Sequence, residues 1–281
     1  SRLHKGKFYA LAQAPQQYKQ LLMLAGFEKY YQFARAFRDE DMRADRQFEH
    51  TQIDIEMAYV TREDILSLIE ELMLILAQKL KLKIAKKPFP VFTYSQAIKQ
   101  FGNDKFDLRS EKEKKEKELA FAWVVDFPLF EFDKKENRYT FSHNPFTAPK
   151  EKDLKDLKNR KNLREISSYQ YDLVLNGEEL GSGSIRITDP NLQREIFKIM
   201  GIDYKKIEKD FGHLLSAYEF GAPPHGGIAI GLDRLCAVLA EEKSIREVIA
   251  FPTSGSGQTA VMEAPAKIDS DILRELKIKA Q

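Results

Sequence analysis

The clearest signal along the chain is a repeated change of hydrophobic period. Between Pro15 and Gly26 the apolar residues fall at helical spacing, with the proline suited to a first turn and the glycine to a stop, so a helix is predicted there. Ahead of it, the residues from Phe8 read as a short strand. Residues 31–38 and 52–60 are extended runs joined by a densely charged loop, most simply an antiparallel pair. In the second run Gln52, Asp54 and Glu56 alternate with Ile53, Ile55, Met57 and Tyr59, which predicts one polar face and one apolar face turned into a core. In the first run Phe33, Arg35 and Phe37 share a side, with Arg38 on the other. A long amphipathic helix follows over 62–81. The run 111-EKEKKEKEL-119 reads as a solvated helix or flexible connector. Residues 121–132 and 139–146 predict two strands flanking the turn 133-DKKEN-137, and 169–187 a hairpin. A helix is expected over 191–200, and the glycine-rich strand 226-GGIAIGLDR-234 runs into another helix. Strands that cluster in hairpins with helices inserted between them predict an antiparallel sheet in an α+β fold rather than a doubly wound parallel one.

Composition narrows the setting. The chain has 281 residues, 43% apolar and 31% charged, enough for one large domain or two small ones with a proper core. A net charge of +2 gives no global basic field, so any polynucleotide contact has to come from local patches. One cysteine, Cys236, excludes a disulfide framework and suits a reducing compartment, so a cytoplasmic protein is expected. No apolar run reaches the roughly 18 residues needed to span a bilayer, so no membrane partner is expected. The chain starts without methionine, and residues ahead of Ser1 are expected in the natural protein.

The polar faces suggest a site. Asp54 and Glu56 on one strand, Asp172, Glu179 and Arg186 on a hairpin, and Asp233 and Arg234 at the end of a third element would bring both signs of charge to one sheet surface. Two arginines, Arg38 and Arg234, can clamp phosphates, because guanidinium forks match phosphate oxygens. Asp172 and Glu179 are hard oxygen ligands suited to magnesium. The run 181-GSGS-184 lies inside a hairpin and signals close backbone approach rather than a phosphate cradle. There is no Walker loop, zinc spacing or nucleophile elbow. Chemistry by positioning and electrostatics needs none of these.

At this point the motifs resemble a family. The run 37-FRDEDMRADRQFEHTQIDIE-56 resembles the second signature motif of class II aminoacyl-tRNA synthetases, and 226-GGIAIGLDRL-235 the third. With 169-YQYDLVLNGEELGSGSIRI-187, 121-FAWVVDFPLF-130 and 247-EVIAFP-252, the chain resembles the catalytic portion of bacterial-type aspartyl-tRNA synthetases from about Phe8 to Pro265.

The resemblance implies a six-stranded antiparallel sheet flanked by helices, and residues 1–281 forming one catalytic domain. It implies ATP-dependent activation of L-aspartate and transfer to tRNA(Asp), with magnesium as cofactor and a homodimer in the full-length protein. Arg38 would hold the ATP α-phosphate and the substrate carboxylate, and Arg234 the γ-phosphate. Asp39, Glu40, Gln47 and His50 would contact ATP from the charged loop, together with Gly231, Leu232 and Asp233. Asp172 and Glu179 would hold magnesium, Glu179 also contacting ATP. Lys19 and Arg186 would pair with the aspartate side chain, assisted by His143, while Gln16, Gln52 and Asp54 would orient the amino acid. Without the resemblance, Lys19 reads as a surface helix lysine, Gln16 as a helix-start residue and His143 as a turn or core histidine.

The sequence also departs from the family pattern. The first signature motif, the N-terminal anticodon-binding barrel and an upstream acidic residue for the substrate ammonium are not in this sequence. The usual insertion domain is reduced to a short charged run near 103–120. His50 stands where the family has phenylalanine, Asn144 replaces the second of two histidines, Ala14 a serine, and Ser182 interrupts a glycine triplet. Two rivals are a related adenylate-forming enzyme with another acceptor or amino acid, and a non-catalytic binding paralogue.

Overall fold

A computed structural model describes residues 1–39, 43–259 and 261–279. In chain order its main elements are α1 (Gln16–Leu24), β1 (Lys29–Phe37), β2 (Glu49–Ala58), α2 (Arg62–Lys79), β3 (Val91–Thr93), α3 (Tyr94–Phe101), α4 (Glu111–Lys115) and β4 (Phe121–Val125). They continue with β5 (Phe130–Asp133), β6 (Arg138–Phe141), α5 (Leu154–Lys158), β7 (Gln170–Leu175), β8 (Glu178–Ile185) and α6 (Pro190–Ile199). Last come α7 (Tyr204–Glu219), β9 (His225–Gly231), α8 (Leu232–Ala240) and α9 (Ser270–Leu276). Seven strands form one sheet in the order β1-β2-β9-β8-β7-β4-β3, and β5 and β6 form a separate ribbon. The large sheet is mostly antiparallel, as predicted. Its seventh strand, β3, exceeds the six implied by the resemblance and runs parallel to β4.

Contacts divide the chain into two units: Ser1–Pro15, Phe33–Gln52 and Gly231–Gln281 in the first, Gln16–Gln32 and Ile53–Ile230 in the second. The second holds most of the core. Every residue of β4 and β7 is buried, the mark of strands covered on both faces. Helix α2 opens on a capping box between Thr61 and Asp64 and buries Ile65, Ile69, Met73 and Ala77, four apolar positions one turn apart. Among the described residues no helix is long and apolar enough to cross a membrane.

Several expectations need correction. No strand forms near Phe8. The run 121–132 does not stay one strand, because Asp126 adopts a positive φ of 61° and Pro128 has no N–H to give a ladder, so β4 and β5 enter different sheets. The strand expected over 139–146 ends at Phe141. Helix α7 was not among the predicted elements: Gly212 sits in its middle, yet Ile207, Leu214, Leu215 and Tyr218 supply a buried apolar row. The faces of β2 are also reversed. Gln52, Asp54 and Glu56 are the buried side, whereas Ile53, Ile55 and Met57 are half-buried and Tyr59 is 73% exposed. Lys19 of α1 pairs with Asp54 and Glu56, so ion pairing makes the polar face the inner one.

Glycine makes that arrangement possible at one crowded point. A Cβ on Gly227 would meet the Ile55 carbonyl oxygen at 2.0 Å and Glu56 Oε2 at 2.2 Å. A Cβ on Gly183, opposite Ile228 in the β8–β9 register, would meet the Gly227 carbonyl oxygen at 2.2 Å and the Tyr171 ring at 2.6 Å. Tyr171 meanwhile donates its hydroxyl to that same carbonyl at 2.9 Å. Gly227→Ala is therefore expected to lower unfolding stability by about 3 kcal/mol or more, read as a fall in the urea midpoint. An unchanged midpoint would refute the close packing.

Candidate active site

In the second unit, α1 begins after Pro15 and presents Lys19, Gln20 and Met23 on one buried face, against the expectation of a surface lysine. Lys19 Nζ donates to Asp54 Oδ1 at 2.7 Å and lies 3.1 Å from Glu56 Oε2. Glu56 in turn accepts from Arg186 through both oxygens, Nε at 2.9 Å and Nη2 at 3.0 Å, while Nη1 donates to Ser184 Oγ at 2.7 Å. All four charged side chains are essentially inaccessible. Burial alone would raise the Glu56 carboxyl pKa. The charges of Arg186 and Lys19, with the Arg186 hydrogen bond, outweigh that and hold it at about 2. The field reaches Tyr30, whose hydroxyl is pushed up to about 12 by burial and by Asp54 and Glu56.

The sequence reading put Glu56 on the polar face but gave it no role. The structure makes it the hub. The signal was present in the unbroken alternation of Gln52, Asp54 and Glu56, but alternation does not show which face is covered. Gln16 is half-buried at the start of α1 and donates to Gln20 Oε1 at 3.0 Å.

A second cluster lies on β7 and β8. Cross-strand partners share a face, so the pairs Asp172 with Ser182 and Val174 with Glu179 put both carboxylates on one side, across a bulge. Asp172 is buried, with Oδ2 3.1 Å from His143 Nε2 and Oδ1 accepting from Gln170 at 2.9 Å. Gln170 also donates to Ser182, the residue that interrupts the family's glycine triplet. His143, expected to assist Lys19 and Arg186, has a side-chain hydrogen bond to Asp172. Burial pushes its pKa down, and the Asp172 hydrogen bond and charge more than reverse this, so the net shift is upward. Glu179 pairs with Lys105 at 2.8 Å. Among the described residues no group of three or more His, Cys, Asp or Glu could hold a metal. Two hard carboxylates on one face fit magnesium, which keeps waters and shares its sphere with phosphates, and Glu179 is the more accessible of the two.

In the first unit, Arg38 and Asp39 are exposed at the end of β1, and the Arg38 N–H donates to the Phe48 carbonyl at 2.8 Å. Glu40 lies outside the described residues. Gln47 is buried, and its Oε1 accepts from the Thr253 N–H at 2.7 Å. His50 is half-buried and Gln52 is buried. Gly231 caps α8, which opens with Leu232, Asp233 and Arg234. Asp233 Oδ2 accepts from the Thr51 N–H at 2.7 Å, tying β2 to α8, and Arg234 Nη2 lies 3.7 Å from Asp45. Thus Gln47 and Asp233, expected at ATP, have structural bonds of their own.

The Glu56 pKa makes stability pH-dependent. The ordinary carboxyl value is 4.5 and the folded one about 2, so on acidification the unfolded chain takes up the proton first. The stabilisation, on the order of 3 kcal/mol, is complete above the ordinary value and lost as pH falls toward the folded one. Glu56→Gln should flatten that acid limb in urea titrations and weaken the fold at pH 7 by a similar amount, because two buried cations lose their shared partner. An acid limb unchanged in the variant would refute the assignment.

Comparison with known proteins agrees with this architecture. Residues 1–255 match the family of class II tRNA synthetases (D, K and N). The chain is 35% identical to the aspartate–tRNA(Asp/Asn) ligase of Dictyoglomus turgidum, covering 99% of this chain and 67% of that protein. It is 37% identical to the enzyme of the same name from Halothermothrix orenii, covering 99% and 68%. The first of these alignments runs over 401 positions against 281 residues here, so at least 120 of them belong to the relative alone. Among solved structures, aspartyl-tRNA synthetase from Entamoeba histolytica superposes with a TM-score of 0.66 at 22% identity, covering 85% of this chain and 50% of that one. Asparaginyl-tRNA synthetase of the same organism gives 0.65 at 22%, covering 89% and 58%. At these identities the structural likeness shows the fold alone. The chain spans about two thirds of its curated relatives and half to three fifths of these solved chains. As the resemblance implied, the chain belongs to the class II tRNA synthetases, and its curated relatives are aspartate–tRNA ligases.

Proposed function

We propose that this chain activates L-aspartate with ATP to aspartyl-adenylate, releases pyrophosphate, and passes the aspartyl group to tRNA(Asp). The observation that carries the choice of an acidic amino acid is the donor capacity of two buried cations. Arg186 spends one fork on Glu56 and one hydrogen on Ser184. Among the described residues, that leaves one hydrogen on each terminal nitrogen, a second fork of the shape a carboxylate fills. Lys19 spends one of its three hydrogens on Asp54 and pairs by charge with Glu56. A substrate β-carboxylate satisfies both cations. Asparagine would turn an amide donor toward them, and such a mismatch supports large discrimination.

Arg38 takes the α-phosphate and the substrate α-carboxylate, and Arg234 the γ-phosphate. Gln16, Gln52 and Asp54 orient the amino acid, with Asp54 near its ammonium group. Asp39, Glu40, Gln47, His50, Gly231, Leu232 and Asp233 belong to the ATP contacts, and an imidazole at position 50 keeps a flat ring for the base. Asp172 and Glu179 are the residues to hold magnesium, which when bound neutralises phosphate charge and aligns the leaving pyrophosphate. His143, hydrogen-bonded to Asp172, assists Lys19 and Arg186 at the substrate side chain. No covalent intermediate with the protein is needed, since carboxylate and phosphorus react when held in line. The whole chain is read as one catalytic domain, shortened near 103–120, acting in the cytoplasm as part of a homodimer.

The test is ATP–pyrophosphate exchange with aspartate, asparagine and glutamate offered separately, with and without magnesium. Exchange driven by aspartate alone is expected. Arg234→Ala should abolish it with an unchanged circular dichroism spectrum. Normal exchange in that variant would sink the assignment, and exchange driven equally by asparagine would sink the selectivity.

A further inference from the structure

One fully buried side chain on α1 has no part in the reaction as described. Gln20 is 0% exposed, one helical turn beyond Gln16. Its Nε2 donates to the Tyr218 hydroxyl on α7 at 2.8 Å and faces His225 Nε2 on β9 at 3.5 Å. Its Oε1 accepts from Gln16 Nε2 at 3.0 Å.

The polarity of this chain is set at its far end. His225 is also 0% exposed, and its Nδ1 lies 2.8 Å from the Pro223 carbonyl oxygen. A carbonyl only accepts, so the hydrogen sits on Nδ1 and a neutral ring leaves Nε2 as an acceptor. Burial favours the neutral ring, as do the charges of Arg186 and Lys19. Glu56 and the Pro223 carbonyl oppose them, and the net shift of the pKa is downward. An acceptor at His225 requires the Gln20 amide to turn its NH2 that way, which puts its oxygen toward Gln16. That oxygen requires Gln16 to donate one hydrogen through Nε2, so the Gln16 oxygen is the acceptor left for a ligand.

We propose that Gln20, anchored by Tyr218 and His225, is a positioning residue that fixes the Gln16 amide with its carbonyl oxygen toward the substrate ammonium. An amide free to flip would offer that ammonium a like donor in half of its orientations. The buried string removes the wrong one before substrate arrives. This inference rests on the reading of Gln16 as an amino-acid contact.

The experiment compares wild type, Gln20→Leu and Gln20→Glu by aspartate-dependent exchange, with KM for aspartate, KM for ATP and kcat determined separately. Gln20→Leu breaks the string and should raise KM for aspartate by about tenfold, leaving KM for ATP and kcat within about twofold. Gln20→Glu keeps an acceptor for Gln16 Nε2, with the Tyr218 hydroxyl turned to donate and His225 protonated on Nε2, and should recover most of the aspartate affinity. It also decides the question if the leucine variant does not fold. An aspartate KM unchanged in Gln20→Leu overturns the proposal, as does a parallel loss in all three constants or a glutamate variant no better than leucine. A wild type that shows no exchange with aspartate overturns the activation reading and this inference with it, whereas failure in the variants alone overturns only the inference.

Discussion

The Glu56 carboxylate is the constraint on which the rest of the second unit depends. A lone carboxylate with no exposed surface would cost many kcal/mol or take up a proton. This one stays ionised because Arg186 grips both oxygens and Lys19 approaches one of them. The dependence runs both ways. Arg186 and Lys19 are themselves buried, and without Glu56 each would be a desolvated cation short of a partner. Three elements far apart in the chain, α1, β2 and the end of β8, are thereby fixed by one group.

Room for that group comes from missing side chains. Gly227 leaves space for the Glu56 carboxylate and the Ile55 carbonyl, and Gly183 for the Tyr171 ring. Tyr171 closes the packing by donating to the Gly227 carbonyl. The glycine runs that invite a phosphate-loop reading thus serve close strand-to-strand approach. Backbones held that tightly let ionic side chains from neighbouring elements meet at hydrogen-bond distance.

The site that results is electrically balanced and chemically unsaturated. Lys19, Arg186, Asp54 and Glu56 sum to zero charge, so the cluster is stable before any ligand arrives, while its cations retain donors. In the function proposed above, recognition turns on unspent hydrogen-bond capacity rather than on net attraction, which suits discrimination between a carboxylate and an amide of the same shape. The role proposed for the glutamine string beside it applies the same logic with neutral groups.

Much of this was legible in the residues. Period-two alternation marked β2, the amphipathic run over 62–81 marked α2, and Pro15 and Gly26 bracketed α1, because these signals are local and the backbone obeys them locally. The two signature runs placed the chain in its family, and the hairpin order implied an antiparallel sheet. The sequence could not say which face of β2 would be inner. Apolar Ile53, Ile55 and Met57 argued for one side, and only α1 and its lysine, packed against the other, made the carboxylate face the buried one. It could not show that Lys19 leaves the surface, that Glu56 joins two cations, or that His143 is hydrogen-bonded to Asp172. A side chain's partner is chosen by whatever tertiary contact brings within about 3 Å, and that distance is absent from any local pattern. The sequence by itself determined which chemistry was carried and on which strands and helices. The tertiary structure alone decided which charges were desolvated together, and desolvation turns a polar face into a site.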